Sequence, residues 1–231
     1  MGSRFENFPM RELKTIELAQ RYAPILKFDH REPFLPSRVG VTLFSRPGYS
    51  PSFPRLIEFH DKVEFVLEYA IWWDWDIQHL YELEHIWIGV NEKGEVVNVE
   101  GSWHGKFYRF RTYKEKEGHP VIYSQPGKHA FSPNPKKFPL ISTVLSCTLF
   151  AGNMGLLVKE MFAKELLALK TPEVDAVIRK YLRQYAFVPS FCFTREFIFS
   201  SEMFTSWEEL RKYIPTRIKQ IITNLLQKCE D

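Results

Sequence analysis

The sequence predicts a mainly β protein with α additions: an antiparallel β-sandwich with an N-terminal helix and a C-terminal helical cap. Three observations carry that expectation. Between residues 39 and 124, short runs rich in Val, Ile, Phe, Tyr and Trp are separated by Gly-, Pro- and Asn-containing turns, as strands joined by tight connections are. Within that region the run Lys106–Tyr113 sets Phe107, Tyr108, Phe110 and Tyr113 among Arg109 and Arg111. Beyond residue 139 the apolar spacing becomes helical.

The elements follow in order. Leu13, Ile16, Leu18, Ala19 and Tyr22 recur at near-helical spacing over residues 10–22, and Pro24 ends that helix. Arg31 to Pro36 is a turn-rich entry to a strand over Val39–Phe44. Pro47, Gly48, Pro51 and Pro54 mark a loop. Strands are expected over Lys62–Trp73, Leu83–Val90, Glu95–Ser102, Lys106–Tyr113 and Pro120–Ser124, with Asn91-Glu92-Lys93-Gly94 as a hairpin turn. Gly155–Leu169 is expected to be helical. Thr171-Pro172 caps and opens a helix ending near Tyr185. Ser206 to Glu209 has capping-box spacing, and Pro215 is expected to open a last helix with the stripe Ile218, Ile221, Ile222, Leu225 and Leu226.

At 231 residues the chain suits one large domain, here residues 1–138 as the sandwich with its helix and 139–231 as a helical extension on the same domain. A composition of 45% hydrophobic and 26% charged residues excludes disorder, collagen and coiled coil. The net charge of +3 is too weak to argue for nucleic acid, so no such partner is expected. Cys147, Cys192 and Cys229 are widely spaced, without metal or redox spacing. With no apolar leader after Met1 and an acidic residue at position 6, the expected location is cytoplasmic. Leu140–Val158 carries no charge, but its Ser, Thr, Asn and Gly residues make it a buried core segment rather than a membrane span.

The chemistry concentrates in Asp74-Trp75-Asp76-Ile77-Gln78-His79-Leu80-Tyr81-Glu82-Leu83-Glu84-His85, where four carboxylates and two imidazoles precede an apolar strand. A buried carboxylate needs a cation. No Arg or Lys occurs between Glu64 and Glu92, so a metal ion is the economical partner. Strand alternation puts Glu84 on the face of Ile86, Ile88 and Val90, with His85 and Trp87 on the other. An oxygen-rich set with imidazole and no thiolate favours Ca²⁺, Mg²⁺ or Mn²⁺ and admits Zn²⁺. Metal candidates are His79, Glu82, Glu84, Asp74, Asp76 and His104. His104 lies in Ser102-Trp103-His104-Gly105, and His119 and His129 follow. No HExxH or nucleophile elbow is present. Acidic residues before a strand also form solvated loops, and single histidines are commonly hydrogen-bonded structural residues.

Several of these segments together resemble the necrosis- and ethylene-inducing-peptide-like proteins and their vacuolar-protein-sorting-associated relatives. They are Gln78-His79-Leu80-Tyr81-Glu82-Leu83-Glu84, Ser102-Trp103-His104-Gly105, and His119-Pro120-Val121-Ile122-Tyr123 with Gly127-Lys128-His129-Ala130. Arg21 to Leu26 and Glu32 to Pro36 resemble the opening of the sorting-associated relatives. The likeness spans roughly residues 19–133. It implies a β-sandwich with a divalent ion held by His79, Glu82 and Glu84, with His104 near it and an additional Asp at 74 or 76. The motif's Gly, second His, Asp and Trp are replaced here by Gln78, Tyr81, Glu82 and Leu83, and nothing before Cys147 could form the family's disulfide.

Three functions are expected to compete. In the first, the ion holds a small polar ligand or glycan, a sugar or phosphate head group, with Trp103, Tyr123 and His129 as ligand-binding candidates beside Trp72, Trp73, Trp75 and Trp87. In the second, a metal-dependent hydrolase of ester or phosphoester bonds, Glu82, His85 or His104 is the candidate base. In the third, the ion is structural and the C-terminal helices serve a homo-oligomer. Membrane contact ranks below these.

Overall fold

The computed structural model describes residues 8–60 and 62–228; Cys229 lies outside them. The chain opens with α1 (Phe8–Tyr22) and β1 (Ile25–Phe28), then β2 (Arg38–Phe44) and the small hairpin β3 (Gly48–Tyr49) and β4 (Leu56–Ile57). The meander β5 (Phe65–Trp75), β6 (His79–Val90), β7 (Val96–Trp103) and β8 (Lys106–Arg109) follows, then β9 (Lys114–Lys116), β10 (His119–Ser124) and β11 (Phe131–Ser132). The last third holds α2 (Ile141–Cys147), β12 (Gly155–Leu156), α3 (Ala163–Leu166), α4 (Pro172–Arg183), β13 (Arg195–Phe197), β14 (Phe204–Ser206) and α5 (Trp207–Gln227).

The larger sheet runs β14–β2–β5–β6–β7–β8, with β12 also on β6; the smaller runs β11–β10–β1–β13, with β9 on β10. The central ladder is antiparallel. Three pairings, β1–β10, β12–β6 and β14–β2, are parallel, so the β-sandwich is mixed. The region after residue 139 thus adds β12 and β14 to the larger sheet and β13 to the smaller, as well as the helices.

Register decides what each face of the larger sheet carries. Val39, Ile71 and Glu84 lie abreast, as do Val41, Tyr69 and Ile86, and Trp73 is opposite Glu82. This face meets the smaller sheet: a Cβ on Gly101 would come within 3.0 Å of Phe131 Cβ, and Trp73 contacts Phe131 ring to ring at 6.1 Å. The Tyr69 hydroxyl donates to Ala19 O of α1 at 2.9 Å. On the other face, Ala70 is opposite His85 and Glu68 opposite Trp87. Part of it is covered by α5, whose Leu210 approaches Gly40 so closely that an added Cβ would sit 2.8 Å from Cδ2. Phe53 covers His85 and Trp87.

Several elements depart from their sequence expectation. β6 begins at His79 rather than Leu83, because Leu80 still pairs with Trp75. The expected strand over Lys106–Tyr113 stops at Arg109. The expected helix over Gly155–Leu169 breaks into β12, two 3₁₀ turns and the single turn of α3. Gly155 takes φ +68° against the Asp175 side chain, and the Leu156 N–H donates to Asp175 Oδ1 at 2.8 Å. α5 starts at Trp207, capped by Ser206 Oγ accepting from the Glu209 N–H, and carries Pro215 inside it. Of its stripe, Ile218, Ile221 and Ile222 are buried and Leu225 and Leu226 half-buried against the core. The uncharged 140–158 stretch is only partly core. Thr143, Cys147, Ala151 and Leu156 are buried, whereas Ile141 is 80% and Leu149 74% exposed. Among the described residues no helix is long and apolar enough to cross a membrane.

Candidate functional site

The β5–β6 turn and the start of β6 bring acids and imidazole together at one end of the sandwich. Asp76 turns the chain: its Oδ1 accepts from the Gln78 N–H at 2.7 Å, and its own N–H donates to His79 O. Five residues on, Tyr81 holds φ +63° inside a strand. That left-handed conformation is costly for a non-glycine residue and is retained only where surroundings impose it. Here the Tyr81 carbonyl accepts from His79 Nδ1 at 2.8 Å. Fixing Nδ1 as the donor leaves the Nε2 lone pair facing inward. Asp76 Oδ1 is 3.5 Å and Glu82 Oε2 3.8 Å from that Nε2. One donor atom from each of Asp76, His79 and Glu82 lies within 4.8 Å of the others, and all three residues are buried.

The counter-charge comes from distant sequence. Lys128 Nζ lies 2.7 Å from Asp76 Oδ1 and 3.4 Å from His79 Nε2. Lys159 Nζ lies 2.5 Å from Glu82 Oε1, which also accepts from the Leu83 N–H at 2.8 Å. No cation is local to this run, but two arrive from 52 and 77 residues away, so the acids do not depend on a metal ion for counter-charge. Burial works to raise the Glu82 pKa, yet Lys159, His79 and Lys128 hold it well below the carboxylate range. Glu84 behaves oppositely. Burial, then the Glu82 charge, pushes it up to about 8, and it shares a short hydrogen bond with Ser102 Oγ. Burial also lowers the His79 pKa, so its ring is neutral near pH 7. The result is a near-balanced set: two carboxylates against two ammoniums, with Glu84 protonated.

The remaining predicted residues divide. Asp74 lies apart from the group, accepting from Arg217 Nη2 at 2.6 Å and Trp72 Nε1 at 3.1 Å, so of the two aspartates it is Asp76 that joins His79. His85 faces the opposite side of the sheet. It stacks on Trp87 at 5.5 Å, its Nε2 is 3.0 Å from Ser52 Oγ, and burial lowers its pKa to about 3. As a base for chemistry at His79 it is on the wrong face. His104, at φ +49°, bonds Gln125 Oε1 through Nε2 at 2.8 Å. His129, at φ +62°, is buried, stacks on Trp73 at 4.7 Å and lies 3.4 Å from Glu32 Oε1. Trp103 stacks on Phe138 at 5.7 Å, and Tyr123 meets Phe193 edge-on at 5.6 Å; both line an open cleft. Trp72, Trp73 and Trp87 are fully buried core.

Sequence reasoning missed Lys128, Lys159, Gln125 and Glu32. The one usable signal was Lys159 itself, the first charge after the uncharged stretch. Asp76 Oδ2 at the centre has no partner, and neither do the buried Trp73 Nε1, His129 Nδ1 and Ser124 Oγ. Such orphans are uncommon and mark where an ion, water or ligand atom fits.

No protein-family model and no curated protein matches the sequence. Among solved structures, NLPPya in complex with glucosamine aligns at 14% identity with a TM-score of 0.36, over 52% of this chain and 66% of that one. NLPPya in complex with mannosamine aligns at 14% identity and 0.34, over 52% of this chain and 67% of that one.

Proposed function

We propose that Asp76, His79 and Glu82 hold a divalent ion at the end of the sandwich, and that the ion helps to bind a polar ligand such as a sugar or a phosphate head group. The observation that carries this is the convergence of three buried donor atoms within 4.8 Å around a fixed imidazole lone pair. The orphaned Asp76 Oδ2 is the vacant donor such an ion would satisfy. Two carboxylates and one imidazole suit Ca²⁺, Mg²⁺ or Mn²⁺ and admit Zn²⁺. The ion would supply a fixed positive charge for hydroxyl or phosphate oxygens. Lys159, with its side chain 38% exposed, can swing into solvent to admit it, and the proton on Glu84 would leave as positive charge entered.

The two ammoniums favour a second reading, in which Lys128 and Lys159 take the ion's place and the centre binds its ligand without metal. Hydrolysis ranks below both. Glu82 is tied to Lys159 and strongly acidic, and His85 is on the far face, which leaves His104 as the one candidate base.

Metal content after incubation with Ca²⁺, Mg²⁺, Mn²⁺ and Zn²⁺ tests the proposal. About one ion per wild-type chain is expected, and none in an Asp76→Asn, His79→Ala variant that still folds. Wild-type protein that takes up no ion refutes the metal reading. A glycan and head-group screen with and without chelator then tests whether ligand binding depends on the ion.

A further inference from the structure

A second site lies apart from the acid and histidine centre. An open cleft of about 1230 Å³ runs between β8 and the segment after β11. Its walls carry Arg109, Arg111, Lys114, Lys136 and Lys137, all exposed, and no Asp or Glu lines it. None of the five forms an ion pair among the described residues. Glu100, the cross-strand neighbour of Arg109, is already held by Arg55 at 2.6 Å. Cations gathered with no carboxylate among the lining residues repel one another, and a cleft concentrates their field. Such an arrangement is stabilised by an anionic ligand, and guanidinium groups suit carboxylate oxygens and those of tetrahedral oxyanions such as phosphate or sulfate.

The aromatic lining narrows the class. Trp103 has one face on Phe138, and Tyr123 is met by Phe193. Tyr108, 49% exposed, offers a ring to solvent. Nucleic-acid strands are held on successive free ring faces, and the cleft does not present that series. Its volume exceeds the roughly 300–1,000 Å³ of pockets for single small molecules. We infer that this cleft binds an acidic oligosaccharide, its sulfate or carboxylate groups on the cations and a sugar face on Tyr108. This site stands whether or not Asp76, His79 and Glu82 take an ion.

The test is fluorescence anisotropy with a labelled, sulfated heparin hexasaccharide, against maltohexaose and a dT oligomer. The sulfated probe should bind, weakening about tenfold or more between 50 and 200 mM salt, and should keep its affinity in chelator. Maltohexaose and oligo-dT should bind at least tenfold more weakly. Arg111→Glu with Lys136→Glu, both exposed, should lower affinity at least tenfold at an unchanged melting temperature. Lys114→Glu, on a different element, should act in the same direction. Failure of the sulfated probe to bind, equal binding of oligo-dT, loss of affinity on chelation, or charge-reversed variants that bind like wild type would each overturn the assignment.

Discussion

Replacing Lys128 by Met removes the ammonium that balances Asp76 while keeping the length of the side chain. Asp76 is fully buried and its Oδ2 has no partner. After the change only the Gln78 N–H remains to its carboxylate. Leaving a buried charge unpaired costs about 3–5 kcal/mol. For a chain of this length each kcal/mol moves the midpoint about 2–4 °C, so melting should fall by about 6–20 °C. If Asp76, His79 and Glu82 form a divalent site, the vacated space favours the ion. At one hundred times its dissociation constant an ion restores about 2.7 kcal/mol, or about 5–11 °C on the same scale. Wild type should gain less, because the ion must first displace Lys128. Scanning calorimetry of both proteins with and without Mn²⁺ reads this directly. A variant that melts within 2 °C of wild type would refute the buried ion pair. A variant that melts low but gains no more from any of the four ions than wild type would refute the metal site.

Three further outcomes are expected. Glu84 keeps its proton to about pH 8, against an ordinary 4.5, so its contribution is complete below 4.5 and is lost as pH rises towards 8, by up to about 5 kcal/mol; Glu84→Gln should flatten the urea-unfolding profile over pH 5–8, and an unchanged slope would contradict the assignment. Ser52→Ala strips a hydroxyl that donates to Glu68 Oε1 at 2.6 Å and lies 3.0 Å from His85 Nε2; denaturant midpoints should report a loss of about 1–3 kcal/mol with metal uptake unaltered. Gly155→Ala forces a Cβ onto the Asp175 carboxylate at φ +68° and should cost at least about 1 kcal/mol, seen as faster proteolysis after β12, whereas the exposed Gly118→Ala, which meets nothing within 4 Å, should cost only its backbone strain.

The sandwich was legible because its signals are local. The Asn91–Gly94 turn, the Thr171 cap and the Ser206 cap each act within a few residues, and each appears where the spacing puts it. The faces of Glu84 and His85 were legible for the same reason, since alternation along β6 separates them. The charge balance was hidden. Lys128 and Lys159 reach Asp76 and Glu82 only after β10 and the post-140 segment pack, and no window around residue 80 contains them. The choice between Asp74 and Asp76 was hidden too, because Arg217, which captures Asp74, lies 143 residues away. The 155–169 helix failed because a side chain from α4, Asp175, outcompeted helical hydrogen bonding at Leu156.

The threading of the smaller sheet bears on how the chain is made. β1 pairs with β10 some hundred residues later and with β13, which begins at Arg195. Such distant pairings form slowly. During synthesis the β2–β8 meander can assemble early, yet β1 must wait for β10 on one edge and β13 on the other. Until then the Trp73 face of the meander stays uncovered and β1 exposes unpaired backbone, which invites association with other chains. A nascent chain halted near residue 138 should therefore be a strong chaperone client, and release of β13, β14 and α5 should end that dependence.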